Sequence, residues 1–204
     1  MVGVFYKRLK HPIEYGLINE GQDTYYRPMN FGNADNLGAE VDIMKYFNWI
    51  GVKANYTYTH SKITTGKRLM NGSKVTQRRQ SRPLFGQAAH VANISLLLKD
   101  ARHGWEGQIA GSYTGKRLSD ISNWYEDDIW EAGYFQLDIS AEKNWKNGLS
   151  VFAKASNLLD TPLLRFIQNG PHTEEVVSDR YRGNVIERKE RHGQSLTVGL
   201  RYKL

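Results

Sequence analysis

Residues 195–204 read Ser-Leu-Thr-Val-Gly-Leu-Arg-Tyr-Lys-Leu, and they alternate strictly between two kinds of side chain. One face of an extended chain would carry Leu196, Val198, Leu200, Tyr202 and Leu204. The other face would carry Ser195, Thr197, Gly199, Arg201 and Lys203. Because side chains alternate across a strand, a period of two predicts a β-strand whose two faces meet different surroundings.

The same alternation recurs along the chain and predicts an all-β fold, an antiparallel meander of about eight strands. The predicted strands span residues 2–9, 30–46, 49–61, 88–99, 105–117, 133–143, 149–158 and 194–203. We expect each of these strands to pair with the next one along the chain, with little helix between them.

The predicted connections alternate in length. Short turns fall near residues 47–48, 100–104 and 144–148, and long loops at residues 10–29, 62–87, 118–132 and 159–193. Short turns on one rim and long loops on the other are typical of outer-membrane barrels. Aromatic residues flank the short turns, as at a membrane interface, namely Trp49, Trp105, Trp145 and Tyr202. The competing fold is a soluble β-sandwich or lipocalin-like barrel, which alternates in the same way.

Composition narrows the function. The 204 residues include no cysteine and no apolar run of membrane-helix length, which excludes disulfides, thiolate chemistry and a transmembrane helix. The net charge of +7 makes nucleic-acid binding a candidate function, but the sequence shows no recognition helix or stacking platform beside the basic residues. The six histidines lack metal-ligand spacing, and no nucleophile motif is present, so we expect no enzyme, metal site or cofactor. The first residues already alternate and lack signal-peptide features, which predicts a piece of a longer protein.

Two of the long loops have opposite charge. Residues 62–82 carry Lys and Arg but no acid, whereas residues 118–132 carry Asp and Glu but no Lys or Arg. The candidate substrate-contacting residues in them are Arg68, Arg78, Arg79, Arg82, Trp124, Tyr125 and Trp130. Guanidinium groups would attract an anionic substrate or lipopolysaccharide phosphates, and the aromatic rings would stack on a sugar or chelate group.

Other interpretations of these two loops stay open. Each basic residue could belong to an ordinary solvated loop, or a divalent cation could bridge Glu126, Asp127 and Asp128. The loops could also pair with each other and close the barrel mouth. We expect them on the same rim because both follow ascending strands, and salt should then weaken their attraction.

Several motifs resemble the C-terminal barrel portion of TonB-dependent outer-membrane receptors, especially those of Bacteroidetes-type bacteria. They occur in the family's order, as NFGNADNLGAE at 30–40, NYTYT at 55–59, RPLFGQ at 82–87, SNLLD at 156–160 and GLRYKL at 199–204. The last position is Leu204, where the family usually has an aromatic residue. By this resemblance, residues 1–204 form the C-terminal portion of a transmembrane β-barrel, and the family's plug domain, TonB-contacting box and earlier strands are not in this sequence.

The resemblance also implies a function. The intact protein would lie in the bacterial outer membrane and take up a scarce nutrient such as a ferric siderophore, a corrinoid or a glycan. Its implied partners are membrane lipid, lipopolysaccharide, the barrel-assembly machinery and, through the missing N-terminal part alone, TonB. The terminal strand would present Leu200, Tyr202 and Leu204 as its assembly signal. The alternative is a self-contained eight-stranded outer-membrane barrel with a structural or adhesive role.

Overall fold

The fold is described from a computed structural model, for residues 1–71, 73–168 and 184–203. These residues form fifteen strands and no helix, so none of them lies in a helix able to span a membrane. The strands are β1 (Val2–Leu9), β2 (Ile13–Glu20), β3 (Asp23–Asn30), β4 (Ala34–Phe47), β5 (Ile50–Asn71), β6 (Lys74–Arg82), β7 (His90–Asp100), β8 (Trp105–Thr114), β9 (Arg117–Asp120), β10 (Ile129–Glu131), β11 (Tyr134–Asn144), β12 (Leu149–Ser156), β13 (Leu163–Ile167), β14 (Val185–Glu190) and β15 (Ser195–Tyr202).

The main sheet has the order β1-β4-β5-β7-β8-β11-β12-β15, and all of these pairs are antiparallel. These are the eight predicted strands, in chain order, so the meander is confirmed. Within the described residues β1 and β15 do not pair with each other, and the sheet is therefore open.

The register brings like side chains together across the main sheet. One row joins Val2, Val41, Tyr56, Ala92, Tyr113 and Phe135. A row on the other face joins Asp42, Asn55, Asn93, Ser112 and Gln136. Because the side-chain period of a strand is two, a slip of one residue in any pair would break both rows. The sheet thus has one apolar face and one polar face along its whole width.

Short turns close one end of the sheet, which we call the short-turn rim. The turn after β4 has Asn48 with a φ of 57°, a left-handed conformation that asparagine tolerates. The next two turns end at Gly104 and Gly148, with φ of 69° and 84°, where glycine carries no Cβ penalty. Trp49, Trp105 and Trp145 are exposed beside these turns. The aromatic residues therefore lie in one band at this rim.

The opposite end, the long-loop rim, departs from expectation. The four long loops were predicted without strands, and the described parts of all four contain strands. Strands β2 and β3 form one hairpin. A second hairpin is formed by β6 and the part of β5 that extends beyond the main sheet. Strands β14, β13, β10 and β9 form a separate four-stranded sheet, which we call the second sheet. Alternation could not reveal β6, because Val75 is its only aliphatic side chain. Pairing with β5 from Ile63 to Asn71 holds it extended instead.

The few fully buried apolar side chains also lie at the long-loop rim. Ile63, Leu118 and Ile121 are at most 1 % exposed, and a small cluster forms around Leu164 and Phe166 of the second sheet. A sheet with an exposed apolar face leaves little core elsewhere. The rim is therefore the packed part of the molecule.

Candidate functional site

The polar face of β5 is covered at the long-loop rim and open toward the short turns. Every second residue from Thr59 to Lys67 is buried, whereas Lys53 on the same face is exposed. The cover over the upper part is the acidic loop, residues 118–132. Its backbone joins the β5 edge, because Arg68 N–H donates to Asn123 O at 2.8 Å and Tyr125 N–H donates to Arg68 O at 2.8 Å. The two loops of opposite charge thus share one rim, as predicted.

Lys67 and Asp128 form a buried ion pair at this junction. Their side chains are each 2 % exposed, and Lys67 Nζ donates to the Asp128 carboxylate and to Ser122 O, the latter at 2.7 Å. The Asp128 carboxylate also accepts the Ser122 backbone N–H at 2.8 Å. Burial lowers the pKa of Lys67 below its ordinary value, although Asp128 opposes the shift. This pair anchors the acidic loop to the hairpin of β5 and β6, which contains the basic residues 62–82 and is called the basic hairpin below.

Asp120 anchors the same loop on its other side. Its carboxylate accepts Tyr26 Oη–H at 2.6 Å and Ser119 Oγ–H at 3.0 Å, and it pairs with Arg165 of β13. The backbone N–H of Leu17 also donates to Ile121 O at 2.7 Å. The acidic loop, which itself supplies most of β9 and all of β10 to the four-stranded sheet, therefore also contacts the β2–β3 hairpin.

Arg82 and Glu14 form a second buried ion pair. Arg82 Nη2 lies 2.8 Å from Glu14 Oε2, and the side chains are 1 % and 6 % exposed. Glu14 also accepts the Phe85 backbone N–H at 2.7 Å, and the Arg82 guanidinium lies 5.0 Å from the centre of the Phe31 ring. Arg82 was among the candidate substrate contacts, but here it holds the β2–β3 hairpin in place.

A polar cleft opens between β6 and the acidic loop, with a volume of about 300 Å³. Three of the predicted contact residues line it, namely Arg79, Tyr125 and Trp130. Its other lining residues are Gln80, Ser81, Glu126, Asp128 and Gln168. The cleft is the place where the sequence-predicted residues meet.

Two cations flank the aromatic rings of this cleft. The Arg78 guanidinium lies 4.6 Å from the centre of the Tyr125 ring, and Lys116 Nζ lies 4.5 Å from that of Trp130. Lys116 also donates to Gln168 Oε1 at 2.8 Å, and burial lowers its pKa. Cations held against aromatic faces, beside amide groups, form a surface able to bind an anionic or hydroxyl-rich molecule.

The remaining candidates lie outside the cleft. Arg68 is exposed, and it forms an isolated bridge with Trp124. Gln80, Lys116 and Gln168 line or flank the cleft and were not predicted. Lys116 falls near the end of the predicted strand 105–117 and Gln168 in the predicted loop 159–193, so no local pattern marks either of them.

The adjacent carboxylates of the acidic loop point to different partners. Asp127 accepts Ser122 Oγ–H at 2.9 Å, Asp128 pairs with Lys67, and Glu126 is exposed. The part of the chain that the structure describes holds no group of three His, Asp or Glu side chains placed to bind a metal ion. Asp127 and Asp128 therefore bind protein groups, and this geometry gives a cation that bridges all three carboxylates no support.

The predicted assembly signal lies on the apolar face of β15. Leu200 and Tyr202 are 74 % and 63 % exposed, opposite Val151 and Leu149 of β12. Leu204 lies outside the described residues. A role in assembly stays a prediction for all three.

Comparison with known proteins gives one match. Residues 1–158 match the family model described as "TonB dependent receptor-like, beta-barrel". No curated protein and no solved structure matches the chain. The match covers most of the main sheet and agrees with its antiparallel, two-faced architecture, while an origin in Bacteroidetes stays a prediction. The chain therefore belongs to the TonB-dependent receptor-like β-barrel family.

Proposed function

We propose that this chain forms part of the wall of an outer-membrane transporter, and that the intact protein takes up a scarce nutrient such as a ferric siderophore, a corrinoid or a glycan. The observation that carries the proposal is the apolar face that continues in register across eight strands. Hydrocarbon offers no hydrogen-bond partners, so a spanning sheet must turn such a face outward. The polar face then lines the interior.

The barrel pattern orients the chain in the membrane. Long loops of outer-membrane barrels are extracellular and short turns are periplasmic. The cleft between β6 and the acidic loop would then face the medium, where a nutrient arrives. The band of Trp49, Trp105 and Trp145 would lie at the periplasmic interface.

Within this proposal the cleft contacts the substrate. Arg79 is exposed and would attract an anionic group, while the rings of Tyr125 and Trp130 would stack on a planar or sugar surface. The exposed basic residues of the β5–β6 hairpin, such as Arg68 and Lys74, would contact lipopolysaccharide phosphates. Leu200 and Tyr202 would engage the barrel-assembly machinery.

The test uses the full-length receptor that contains this chain, purified in detergent. Intrinsic tryptophan fluorescence is recorded during titration with a ferric tricatecholate, cyanocobalamin and maltoheptaose. We expect one of them to bind, with an affinity that falls about tenfold or more in Arg79→Ala and Trp130→Ala, the size typical of interface hot spots. Lys74→Ala is the matched control, because it also removes one positive charge but does so at the tip of the β5–β6 hairpin, outside the cleft.

Two results would contradict the proposal. Equal binding by all three variants and the wild type would remove the cleft from substrate recognition. Recovery of the receptor in a soluble fraction of cells, instead of with outer-membrane markers, would overturn the transport function itself. The self-contained barrel with a structural or adhesive role gains no support from the open sheet.

A further inference from the structure

The cleft between β6 and the acidic loop limits the size of the group that it can take. Its volume of about 300 Å³ is at the lower end of the range for small-ligand pockets, about 300–1,000 Å³. The end of an oligosaccharide fits such a volume, whereas a corrinoid ring system or a whole ferric tricatecholate would enter it only in part. Size therefore favours a glycan among the three classes of nutrient.

Two amide side chains of the cleft are fixed by neighbouring groups. Gln80 Oε1 accepts the Glu126 backbone N–H at 3.2 Å, and Gln80 Nε2 lies 3.5 Å from Asp128 Oδ2. Gln168 Oε1 accepts from Lys116 Nζ at 2.8 Å, which turns the amide N–H groups of Gln168 away from Lys116. Polar groups that are already ordered bind a ligand at a smaller entropic cost.

Glu126 has a backbone conformation that glutamate rarely adopts. Its φ is 59°, in the left-handed region, where an L side chain is crowded by its own backbone. The next two acids bind Ser122, since Asp127 accepts its Oγ–H at 2.9 Å and Asp128 accepts its backbone N–H at 2.8 Å. Glu126 is exposed and lines the cleft. This turn therefore leaves one carboxylate for a ligand, and strained positions of this kind concentrate at ligand-binding sites.

The other charges around the cleft are mainly positive. Arg79 lines it and is exposed. The Arg78 guanidinium lies 4.6 Å from the centre of one aromatic ring of the cleft, and Lys116 Nζ lies 4.5 Å from the centre of the other. Asp128 also lines the cleft, but its charge is offset by the buried Lys67. The cleft thus combines cations suited to an anionic group with one carboxylate suited to hydroxyl groups.

We infer, on the basis of the proposed function of the cleft, that it binds an oligosaccharide whose end sugar carries a carboxylate. Arg79 donates to the carboxylate of the sugar, Glu126 accepts from its hydroxyl groups, and the Trp130 ring packs against its carbon face. A ferric tricatecholate is anionic, but its iron-bound catechol oxygens carry no proton for Glu126. A neutral glycan leaves Arg79 without an anion. An acidic sugar uses both groups.

The test is isothermal titration calorimetry of the full-length receptor in detergent with three probes. Tetragalacturonate carries both carboxylates and sugar hydroxyl groups, maltotetraose carries the hydroxyl groups alone, and tetraglutamate carries carboxylates without a sugar ring. We expect tetragalacturonate to bind about tenfold or more tightly than each of the other two, because it alone satisfies both the cation and the carboxylate of the cleft.

Two variants separate these two groups. Arg79→Gln should lower the affinity for tetragalacturonate about tenfold and leave that for maltotetraose unchanged. Glu126→Gly should lower the affinity for both saccharides about tenfold. Because glycine adopts a φ of 59° without strain, the urea midpoint of Glu126→Gly should change little. Lys74→Gln, which removes a positive charge at the tip of the basic hairpin, is the matched control and should leave both affinities unchanged.

The inference is overturned if the wild type does not bind tetragalacturonate, or binds it no more tightly than either other probe. Unchanged tetragalacturonate binding in both Arg79→Gln and Glu126→Gly would also overturn it. If a ferric tricatecholate or cyanocobalamin binds instead and Arg79→Ala weakens that binding, the inference fails while the proposed function of the cleft stands. The proposed function itself fails if the receptor binds a nutrient and no cleft variant changes the affinity.

Discussion

Lys67 of the basic hairpin and Asp128 of the acidic loop pair with each other where neither side chain is more than 2 % exposed. The pair converts two oppositely charged loops into one packed junction. Because both charges are buried, the attraction should resist salt, unlike that of exposed charges across water. The sequence predicted the attraction, and the burial changes its expected salt dependence.

Asp128→Asn should release the acidic loop. It removes the compensating charge and leaves Lys67 buried and unpaired, which costs about 3–5 kcal/mol for such pairs. Chymotrypsin cleavage after Trp124 or Tyr125 in the full-length receptor measures the opening of the loop. Glu126→Gln, an exposed neighbour, is the control and should change the cleavage rate little. Equal rates in Asp128→Asn and the wild type would mean that the pair does not anchor the loop.

Arg82 and Arg79 should behave differently although they lie on the same strand. Arg82→Met leaves the buried Glu14 carboxylate without its partner and should lower the free energy of unfolding by about 3–5 kcal/mol. Arg79→Met, on an exposed side chain, should change it by less than about 0.5 kcal/mol. Urea unfolding of the refolded receptor compares the two. Similar midpoints for both variants would contradict the assignment of Arg82 to a structural role.

The two faces of β15 should tolerate charge differently. Leu200→Arg puts a cation on the apolar face and should cost about 2–4 kcal/mol if that position lies near the bilayer midplane. Thr197→Arg, the matched change on the polar face, should assemble normally. Heat-modifiable gel mobility and membrane fractionation report both outcomes, and the reverse result would invert the facing of the whole sheet.

Gly199 should resist substitution even though it lies on the polar face. The Phe152 ring of β12 occupies the space where a Cβ at Gly199 would lie. Gly199→Ser must therefore displace an aromatic ring, at a cost of about 1–3 kcal/mol for overpacking. Phe152→Leu should relieve that cost in a double variant, and urea midpoints of the two variants and their combination measure the coupling.

Alkaline pH should strengthen the hold on the acidic loop. Burial lowers the pKa of Lys67, so between that lowered value and the unfolded value of 10.5 the unfolded chain binds more protons than the folded one. Stability then rises with pH across this window. Subtilisin cleavage of the loop, measured from neutral pH upward, should slow relative to a Lys67→Met variant, in which this dependence is absent. Faster cleavage in the wild type alone would contradict it.

The local sequence pattern predicted the main sheet well, because a strand with one apolar and one polar face has apolar and polar residues at alternating positions. The alternation at residues 195–204 and its counterparts located eight strands and their order. The strands of the second hairpin and of the four-stranded sheet show no such alternation. A strand such as β6 is polar on both faces and is held extended by pairing with its partner strand. Proximity of the oppositely charged loops was also predictable, because both follow strands that end at the same rim.

The sequence by itself determined which side chains share a face of the sheet, since geometry fixes that at the level of neighbouring residues. Only the tertiary structure decided which charges are buried. Arg79 and Arg82 stand three positions apart in one basic run, yet one lines an open cleft and the other is sealed against Glu14, 68 positions away in the chain. Burial depends on which distant segment covers a side chain, and no local pattern encodes that contact.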